Sequence, residues 1–291
     1  MIEESKNQAA IFEKRLSSCD STLYIGRATT DSTSLETPGN GGLRLWKYQN
    51  SDDAKNEAIA LAQGMYIKHN VYNTGFGGTK IVVDCNDLKN LNRNNFLNEV
   101  SNVLNDFNGT KYTGCDMNVN IEDMEKMSLD TNYILAGLSN KELDPNDATA
   151  YGVFGSIIGM IGINNIKNKK FVIHGCGNVG STIAKLLTDK DAIVYTIDNQ
   201  IEKANIDNTV NISAENNYPE HDVFIPCSSS RLIDKNFIDK NLNNTEYIIG
   251  ATNIPFLNND AERYFLKRDN THFVPEGITS AGAVIIDSIE H

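Results

Sequence analysis

Residues 170–180 read KFVIHGCGNVG, and this stretch decides the fold of the second half of the chain. KFVIH has the apolar character of a buried parallel strand, and a helix is predicted to follow it at 179–187. Between them, the spacing of Gly175, Gly177 and Gly180 is typical of a turn that lets a diphosphate approach the backbone and a helix pack on the strand. Because the helix N-terminus offers free N–H groups, we predict a dinucleotide site that includes Asn178 and Val179.

Asp198 ends the next predicted strand, 192–197. An acid at this place accepts hydrogen bonds from the adenosine ribose hydroxyls and repels a 2′-phosphate, so the sequence predicts NAD rather than NADP. Two plainer interpretations compete with this one. The turn could belong to a purely structural α/β domain, and Asp198 could be a solvated strand end.

Strands and helices are predicted to alternate on both sides of this unit. Further strands are expected at 223–226, 247–250 and 271–274, and a helix rich in small residues at 147–163. Such alternation predicts a doubly wound parallel sheet. We therefore assign residues 141–291 to a Rossmann domain for NAD, beginning at a hinge near Asp144-Pro145.

The first 140 residues are predicted to form a separate α/β domain. Strands are expected at 21–27, 41–48 and 80–85, and amphipathic helices at 52–67 and 92–107. Lys68 and Lys80 belong to this part, and Lys80 ends the glycine turn Gly77-Gly78-Thr79-Lys80. A lysine is most often a solvated surface charge, but the glycine turn and the paired lysines favour a chemical site.

Composition excludes several classes of function. The formal net charge is −12, which disfavours binding to nucleic acid or to an anionic membrane. The chain starts without an apolar signal region and contains no long apolar run, so we expect a soluble cytoplasmic protein. Five scattered cysteines form no metal-binding or disulfide pattern, and no metal is expected. Cys115 is expected to be a small buried thiol.

Several stretches together resemble the Glu/Leu/Phe/Val amino-acid dehydrogenase superfamily, most closely its leucine dehydrogenase branch. They occur in family order from about residue 20 to the end of the chain, which makes them more specific than any single motif. The matching stretches are GGLRLWKY (41–48), AIALAQGMYIKHN (58–70), GFGGTK (75–80), CDMNVNIEDM (115–124), DATAYGV (147–153), HGCGNVG (174–180), PCS (226–228), GATN (250–253) and SAGAVI (280–285).

The resemblance implies reversible, NAD-dependent oxidative deamination of an L-amino acid to a 2-keto acid and ammonia. In the family, the lysine matching Lys68 binds the substrate carboxylate, the lysine matching Lys80 activates water, and the aspartate matching Asp116 handles the amino-group proton. Other matches lie on the substrate side (Gly41, Gly42 and Gly114) or the cofactor side (Thr149, Cys227 and Asn253). The chemistry is consistent, because a lysine acts as a base near neutral pH only if burial or a second cation, such as Lys68 beside Lys80, lowers its pKa.

Departures from the family pattern concern the pocket for the substrate side chain. Asn40 precedes the Gly41-Gly42 turn and Asp287 follows Val284 by three positions, where the leucine enzymes have aliphatic residues. We expect these residues to line a pocket that prefers a polar or cationic side chain, or an indole N–H, over leucine or glutamate. The alternative is that Asp287 caps the start of the last helix. Thr79 also replaces a glycine of the usual lysine turn.

The ending at His291 and the unusual pocket leave several expectations open. Family members usually continue beyond this point, so we expect a homodimer built on the N-terminal domain, with closure between the domains to exclude water. One alternative function is a specialised biosynthetic enzyme of the same family that uses keto-acid or imine chemistry. Another is a catalytically silent NAD-binding sensor or subunit, against which the combination of Lys68, Lys80 and Asp116 argues.

Overall fold

The computed structural model describes residues 8–18, 21–29, 37–139, 144–215 and 217–291. Contacts divide the chain into two compact units: Met1–Glu142 together with Val284–His291, and Leu143–Ala283. The division of the sequence at residue 140 assigned 284–291 to the second domain, whereas the contacts group these residues with the first unit. Among the described residues, no helix has both the length and the apolar character needed to span a bilayer.

The first unit is a mixed sheet with helices. Its elements are β1 (Gln8–Leu16), β2 (Ser21–Thr29), β3 (Gly39–Asn40), β4 (Leu43–Trp46), α1 (Ser51–Val71), β5 (Gly77–Asp84), α2 (Arg93–Asp106), β6 (Lys111–Tyr112) and α3 (Ile121–Met127). The strands lie in the order β1-β2-β5-β3-β6, and β4 also pairs with β5. β5 is antiparallel to β2 and parallel to β3 and β4, so this strand organises the unit.

The elements of this unit differ from the sequence expectations in several places. The strand expected at 41–48 is shorter, because only β4 (Leu43–Trp46) forms within it. β3, which precedes Gly41-Gly42, and β1, which pairs along its whole length with β2, were not predicted. The helix expected at 52–67 runs on to Val71, which places Lys68 in its last turn. Asn50 caps the start of this helix by accepting a hydrogen bond from the Asp53 N–H.

The second unit is a parallel sheet. Its elements are α4 (Pro145–Ile161), β7 (Lys170–His174), α5 (Asn178–Thr188), β8 (Ile193–Ile197), β9 (Val210–Asn211), β10 (Val223–Pro226), α6 (Lys235–Asn241), β11 (Tyr247–Ile249), α7 (Asn259–Leu266), β12 (His272–Val274) and α8 (Glu276–Thr279). The last helix, α9 (Gly282–Glu290), begins here and continues into residues of the first unit. The strand order is β12-β11-β10-β7-β8-β9, so β8 and β9 extend the sheet on one side of β7 and β10 to β12 extend it on the other. This arrangement is that of a dinucleotide-binding fold.

Both faces of this sheet are buried. Phe171 and Ile173 of β7 join a cluster with α4 and α5, whereas Val172 joins the cluster on the opposite face with Phe224 and Phe265. Side chains alternate between the two faces of a strand, so apolar residues at successive positions require helices on both sides. The predicted doubly wound parallel sheet is therefore confirmed.

Candidate active site

Three of the expected cofactor residues follow adjacent strands of the parallel sheet. Gly175, Asp198 and Cys227 come directly after β7, β8 and β10, and these strands pair in register at their carboxyl ends. The Gly175 N–H donates to the Ile197 carbonyl at 2.8 Å, and the Cys227 N–H donates to the His174 carbonyl at 2.8 Å. The three residues thus lie side by side at the edge where open α/β sheets bind ligands.

Two glycines of the turn have different surroundings, one tightly packed and one open. Gly175 has a φ of +102°, and a Cβ there would lie 2.5 Å from the Cys227 carbonyl oxygen, so a side chain is excluded. Gly177 caps α5 without a side-chain hydrogen bond, and a Cβ on it would meet no described atom within 4 Å. The first N–H groups of the helix therefore lie beside open space, which fits a diphosphate group.

Asp198 is fixed beside this turn. Its Oδ2 accepts a hydrogen bond from the Cys176 N–H at 2.8 Å, and its Oδ1 accepts one from the Gln200 N–H at 2.8 Å. The carboxylate is thus held at the end of β8 as the sequence predicts. A carboxylate can accept about four hydrogen bonds, so Asp198 keeps capacity for the hydroxyl groups of a ligand.

The remaining candidates of this unit have more varied surroundings. Asn178 and Val179 open α5, and Asn253 lies in the segment after β11. The Thr149 hydroxyl on α4 donates to the Pro145 carbonyl at 2.9 Å. Burial raises the pKa of the Cys227 thiol to about 12, so this cysteine is uncharged and unsuited to act as a nucleophile.

The first unit brings together a buried group of charges. Lys80 on β5 forms an ion pair with Asp116, which lies in a turn closed by the Val119 N–H donating to the Asp116 carbonyl at 3.0 Å. Arg44 on β4 also contacts Asp116, at 3.3 Å, and pairs with Glu57 of α1 at 2.7 Å. The expected pair of Lys80 and Asp116 is therefore one part of a network of four charges.

Burial and neighbouring charges shift the pKa values of this network. Desolvation lowers the pKa of Lys80, the attraction of Asp116 opposes this shift, and the nearby Arg44 lowers the pKa further. Burial alone would raise the pKa of Asp116, but Lys80 and Arg44 hold it well below its usual range. Lys80 is therefore easier to deprotonate than an ordinary lysine, while Asp116 stays ionised. Arg44 is a second cation that acts on Lys80, a role that the sequence argument gave to Lys68.

Gly42 lets the backbone pass close to this network. A Cβ on Gly42 would lie 2.6 Å from the Cys115 carbonyl oxygen and 3.2 Å from Lys80 Nζ, so any side chain would displace the lysine or the chain beside it. Gly41 is similarly packed against the backbone of Thr79. The Gly114 carbonyl accepts a hydrogen bond from the Leu43 N–H, next to Gly42, at 2.9 Å.

Lys68 and His69 lie buried in the last turn of α1. His69 Nε2 is 3.2 Å from the Asn40 carbonyl oxygen, and Nδ1 is 2.6 Å from the Thr74 hydroxyl. A carbonyl can only accept, so Nε2 carries the proton. Burial lowers the pKa of His69 to about 4, and the Lys68 charge adds to this shift, so the ring is neutral.

Asn40 and Asp287 are brought into contact. Asn40 Nδ2 donates to Asp287 Oδ2 at 2.7 Å. Asp287 lies inside α9, which begins at Gly282, so the alternative that it caps this helix is wrong. Burial raises the pKa of Asp287 to about 7, although the bond from Asn40 opposes the shift. Val284, one turn earlier on the same helix, is buried.

Sequence reasoning missed Arg44, Glu57 and His69. Arg44 and His69 stand inside stretches that carried the resemblance, so their position was visible but their burial was not. Nothing in the sequence distinguishes Glu57 from the other acidic residues at the start of α1. Cys115 was expected to be buried, but it is exposed.

Comparison with known proteins identifies the family. Residues 28–139 match the Glu/Leu/Phe/Val dehydrogenase dimerisation domain, and residues 142–202 match the Glutamate/Leucine/Phenylalanine/Valine dehydrogenase domain. The chain therefore belongs to this family of NAD(P)-dependent amino-acid dehydrogenases, which are oxidoreductases acting on CH–NH2 groups.

Relatives within this family bear different substrate names. L-tryptophan dehydrogenase of Nostoc punctiforme is 27% identical over 257 residues, which are 85% of this chain and 71% of the relative. Leucine dehydrogenase of Thermoactinomyces intermedius is 26% identical, over 85% of this chain and 70% of the relative.

Solved structures show the same fold. The crystal structure of the Nostoc punctiforme L-tryptophan dehydrogenase aligns with a TM-score of 0.69 at 23% identity, covering 94% of this chain and 79% of that one. The hetero-hexameric glutamate dehydrogenase of Thermus thermophilus aligns with a TM-score of 0.74 at 16% identity, covering 97% and 75%.

Proposed function

We propose that this protein catalyses the reversible, NAD-dependent oxidative deamination of an L-amino acid to a 2-keto acid and ammonia. The observation that carries this proposal is the buried pair of Lys80 and Asp116, with Arg44 lowering the pKa of the lysine. Buried charges are costly, and such a network is expected where proton transfer is required. A silent binding protein would have no use for it.

NAD, when bound, supplies the acceptor for the hydride that leaves the substrate Cα. The turn Gly175–Gly180 and the start of α5 would hold its diphosphate, and Asp198 its adenosine ribose, which favours NAD over NADP. Thr149, Cys227 and Asn253 are proposed to line the nicotinamide side. Cys227 and Asn253 lie at or near the carboxyl edge of the sheet, which supports this assignment. For Thr149 the support is that it lies within the stretch that matches the family.

The reacting groups are proposed to come from the first unit. Lys68 would bind the substrate carboxylate, because an anion needs a cation in a buried site. After hydride loss the substrate is an iminium, and Lys80 would take a proton from the water that attacks it. Asp116 would exchange the proton of the amino group as ammonia leaves. Arg44, held by Glu57, would position Asp116 and keep the pKa of Lys80 low.

The pocket for the side chain is proposed to differ from that of leucine dehydrogenases. Asn40, Val284 and Asp287 would line it, and the contact between Asn40 and Asp287 supports their common role. An amide and a carboxyl group favour a polar or cationic side chain, or an indole N–H, over leucine. A buried acid also disfavours the carboxylate of glutamate.

The protein is proposed to be a homodimer. Residues 28–139 match the family's dimerisation domain. β1 also lies at the edge of its sheet among the described strands, and it exposes Ile11 and Phe12. An unpaired strand edge with apolar side chains is suited to association with a second copy. Light scattering after gel filtration should give twice the mass of the chain, and a monomer would contradict this proposal.

The catalytic proposal is tested by incubating the purified chain with each L-amino acid and NAD, and following NADH by its absorbance. At least one amino acid should be oxidised, and the matching keto acid with ammonia should consume NADH. Lys80→Ala should remove this activity. Silence with every amino acid, despite NADH binding, would favour the biosynthetic or sensor alternatives.

A further inference from the structure

The side chain of Asn40 has an acceptor that is buried and unpaired. Asn40 is 0% exposed, and its Nδ2 donates to Asp287. This bond fixes the amide orientation when Asp287 is ionised, as it is above a pH of about 7, because a carboxylate can only accept. Oδ1 is then left buried without a hydrogen-bond partner in the part of the chain that the structure describes. Buried polar atoms of proteins are usually paired, so a hydrogen-bond donor from a ligand would be stabilised at this oxygen.

Asp287 is a second acceptor with unused capacity. Among the described residues, its carboxylate receives one hydrogen bond, from Asn40 Nδ2. A carboxylate accommodates about four, so Asp287 can accept further N–H groups. The pair therefore presents an amide oxygen and a carboxylate that can each accept a further hydrogen bond.

The charges around Asp287 do not neutralise it. Partial desolvation and nearby carboxylates, including Asp287, raise the pKa of the Cys115 thiol to about 11, so this thiol is uncharged. Glu290 on the same helix adds negative charge, while its carboxylate accepts hydrogen bonds from the Ala136 and Gly137 N–H groups. His69 is neutral and donates to the carbonyl of Asn40, not to its side chain. A donor, and in particular a cation, would be stabilised here.

Asn40 lies two residues from a glycine that packs against the reacting groups. Asn40 directly precedes Gly41-Gly42, and Gly42 packs against Lys80 and Asp116. A substrate whose Cα is held near Lys80 would direct its side chain away from the charges that act on its amino group. Asn40 Oδ1 and the Asp287 carboxylate, which it adjoins, are suited to receive the end of that side chain.

We propose that Asn40 and Asp287 select a substrate whose side chain ends in a nitrogen with two or more N–H protons: an amine, a guanidinium or a primary amide. This inference rests on the proposed dehydrogenase function and names its substrate class. Two separate acceptors need two protons, so an indole with its single N–H satisfies only one of them. A leucine side chain offers no donor to Asp287 and leaves Asn40 Oδ1 unpaired, which is costly for a buried atom.

The test compares substrates that differ in the donor. Initial rates with NAD are measured for L-lysine against L-norleucine, and for L-glutamine against L-glutamate, together with L-arginine, L-tryptophan and L-leucine. We expect kcat/KM to be about 10- to 100-fold higher for the better donor of each pair. A preference for lysine and arginine would identify the cationic members of the class, and a preference for glutamine the amide.

Variants assign that preference to the two residues. Asn40→Leu and Asp287→Val should each reduce the ratio of donor to non-donor kcat/KM by about tenfold or more. Asp287→Asn should reduce it more for lysine than for glutamine, because it removes the charge and keeps an acceptor. Asp260→Asn, an exposed position on α7, is the matched control and should leave the ratio unchanged.

Binding separates failure of this inference from failure of the proposed function. Calorimetric titration of the NADH-bound protein with L-lysine, L-glutamine and L-norleucine should give the same order of affinity, even without turnover. Highest kcat/KM with leucine, norleucine or tryptophan would overturn the inference and leave the dehydrogenase function intact. No turnover of any substrate would overturn the proposed function. In that case, equal affinity for the three titrated ligands would overturn the inference as well.

Discussion

The glycine turn at 175–180 and the charge network around Lys80 are built in opposite ways. The turn is one continuous stretch, and its functional groups are backbone N–H groups at the start of α5. The network gathers side chains from β4, α1, β5 and the turn at Asp116, which are far apart in the sequence. Backbone N–H groups suited to a diphosphate can thus be arranged by one short stretch of sequence. A shifted pKa, by contrast, requires burial and charged partners that only the folded unit supplies.

The largest effect is expected in the network, from Lys80→Ala. We expect kcat to fall about 10³- to 10⁴-fold, because the base is lost, while NADH binding, followed by its fluorescence, is retained. Lys89→Ala, at an exposed position, is the control. Retention of more than a tenth of the activity would remove Lys80 from the role of base.

The turn is tested by Asp198→Ala. The carboxylate should favour NAD over NADP, so its loss should reduce the ratio of kcat/KM for NAD and NADP by about 100-fold. Asp198→Asn should have a smaller effect, because it preserves the acceptor for the Cys176 N–H. Asp207→Ala serves as a control on the surface of the same unit. If the ratio is unchanged, another residue selects the cofactor.

The contribution of Arg44 and Glu57 is tested by removing both together. The double variant Arg44→Gln/Glu57→Gln removes an ion pair without leaving one partner unpaired. Loss of Arg44 should raise the pKa of Lys80, and loss of Glu57 should offset part of this rise because Glu57 is the weaker influence. We therefore expect kcat/KM at pH 7 to fall about tenfold and to recover as the pH is raised. The matched control is Arg263→Gln/Asp260→Asn, an exposed pair on α7. A loss that is equal at every pH would indicate a purely structural role.

The smallest effect concerns the stability of the first unit. The folded-state pKa of Asp287, about 7, lies above that of an unfolded aspartate. The folded state therefore binds more protons between these values, and the free energy of unfolding should fall as the pH rises toward 7. Asp287→Asn should remove this dependence and be more stable than the parent by about 2 kcal/mol at pH 8, since partial exposure reduces the full effect.

Trp46 makes this measurement specific, because it is the single tryptophan of the chain and lies on β4 of the first unit. Urea unfolding followed by its fluorescence at pH 5 and pH 8 gives the difference between parent and variant. The difference should grow with pH, and Asp207→Asn should show no such growth. A difference independent of pH would mean that Asp287 is not protonated in the folded state.

The sequence predicted those parts whose determinants are local. KFVIH and the following glycines specify a strand, a turn and a helix through residue types at fixed spacing, and the parallel sheet follows from the alternation of such units. Lys80 and Asp116 were found through family resemblance. Arg44 and Glu57 were not found, because their importance comes from burial beside Asp116. Neither β1 nor β3 was predicted, since both are defined by pairing with other strands.

The central claim is that this chain oxidises an L-amino acid with NAD through Lys80. The most direct test follows NADH absorbance for the purified chain and for Lys80→Ala, across all L-amino acids, with NAD and then with NADP. The account predicts turnover of at least one amino acid, a higher kcat/KM with NAD than with NADP, and loss of turnover in the variant. No turnover of any amino acid by the parent, while NADH binds to it, would contradict the account.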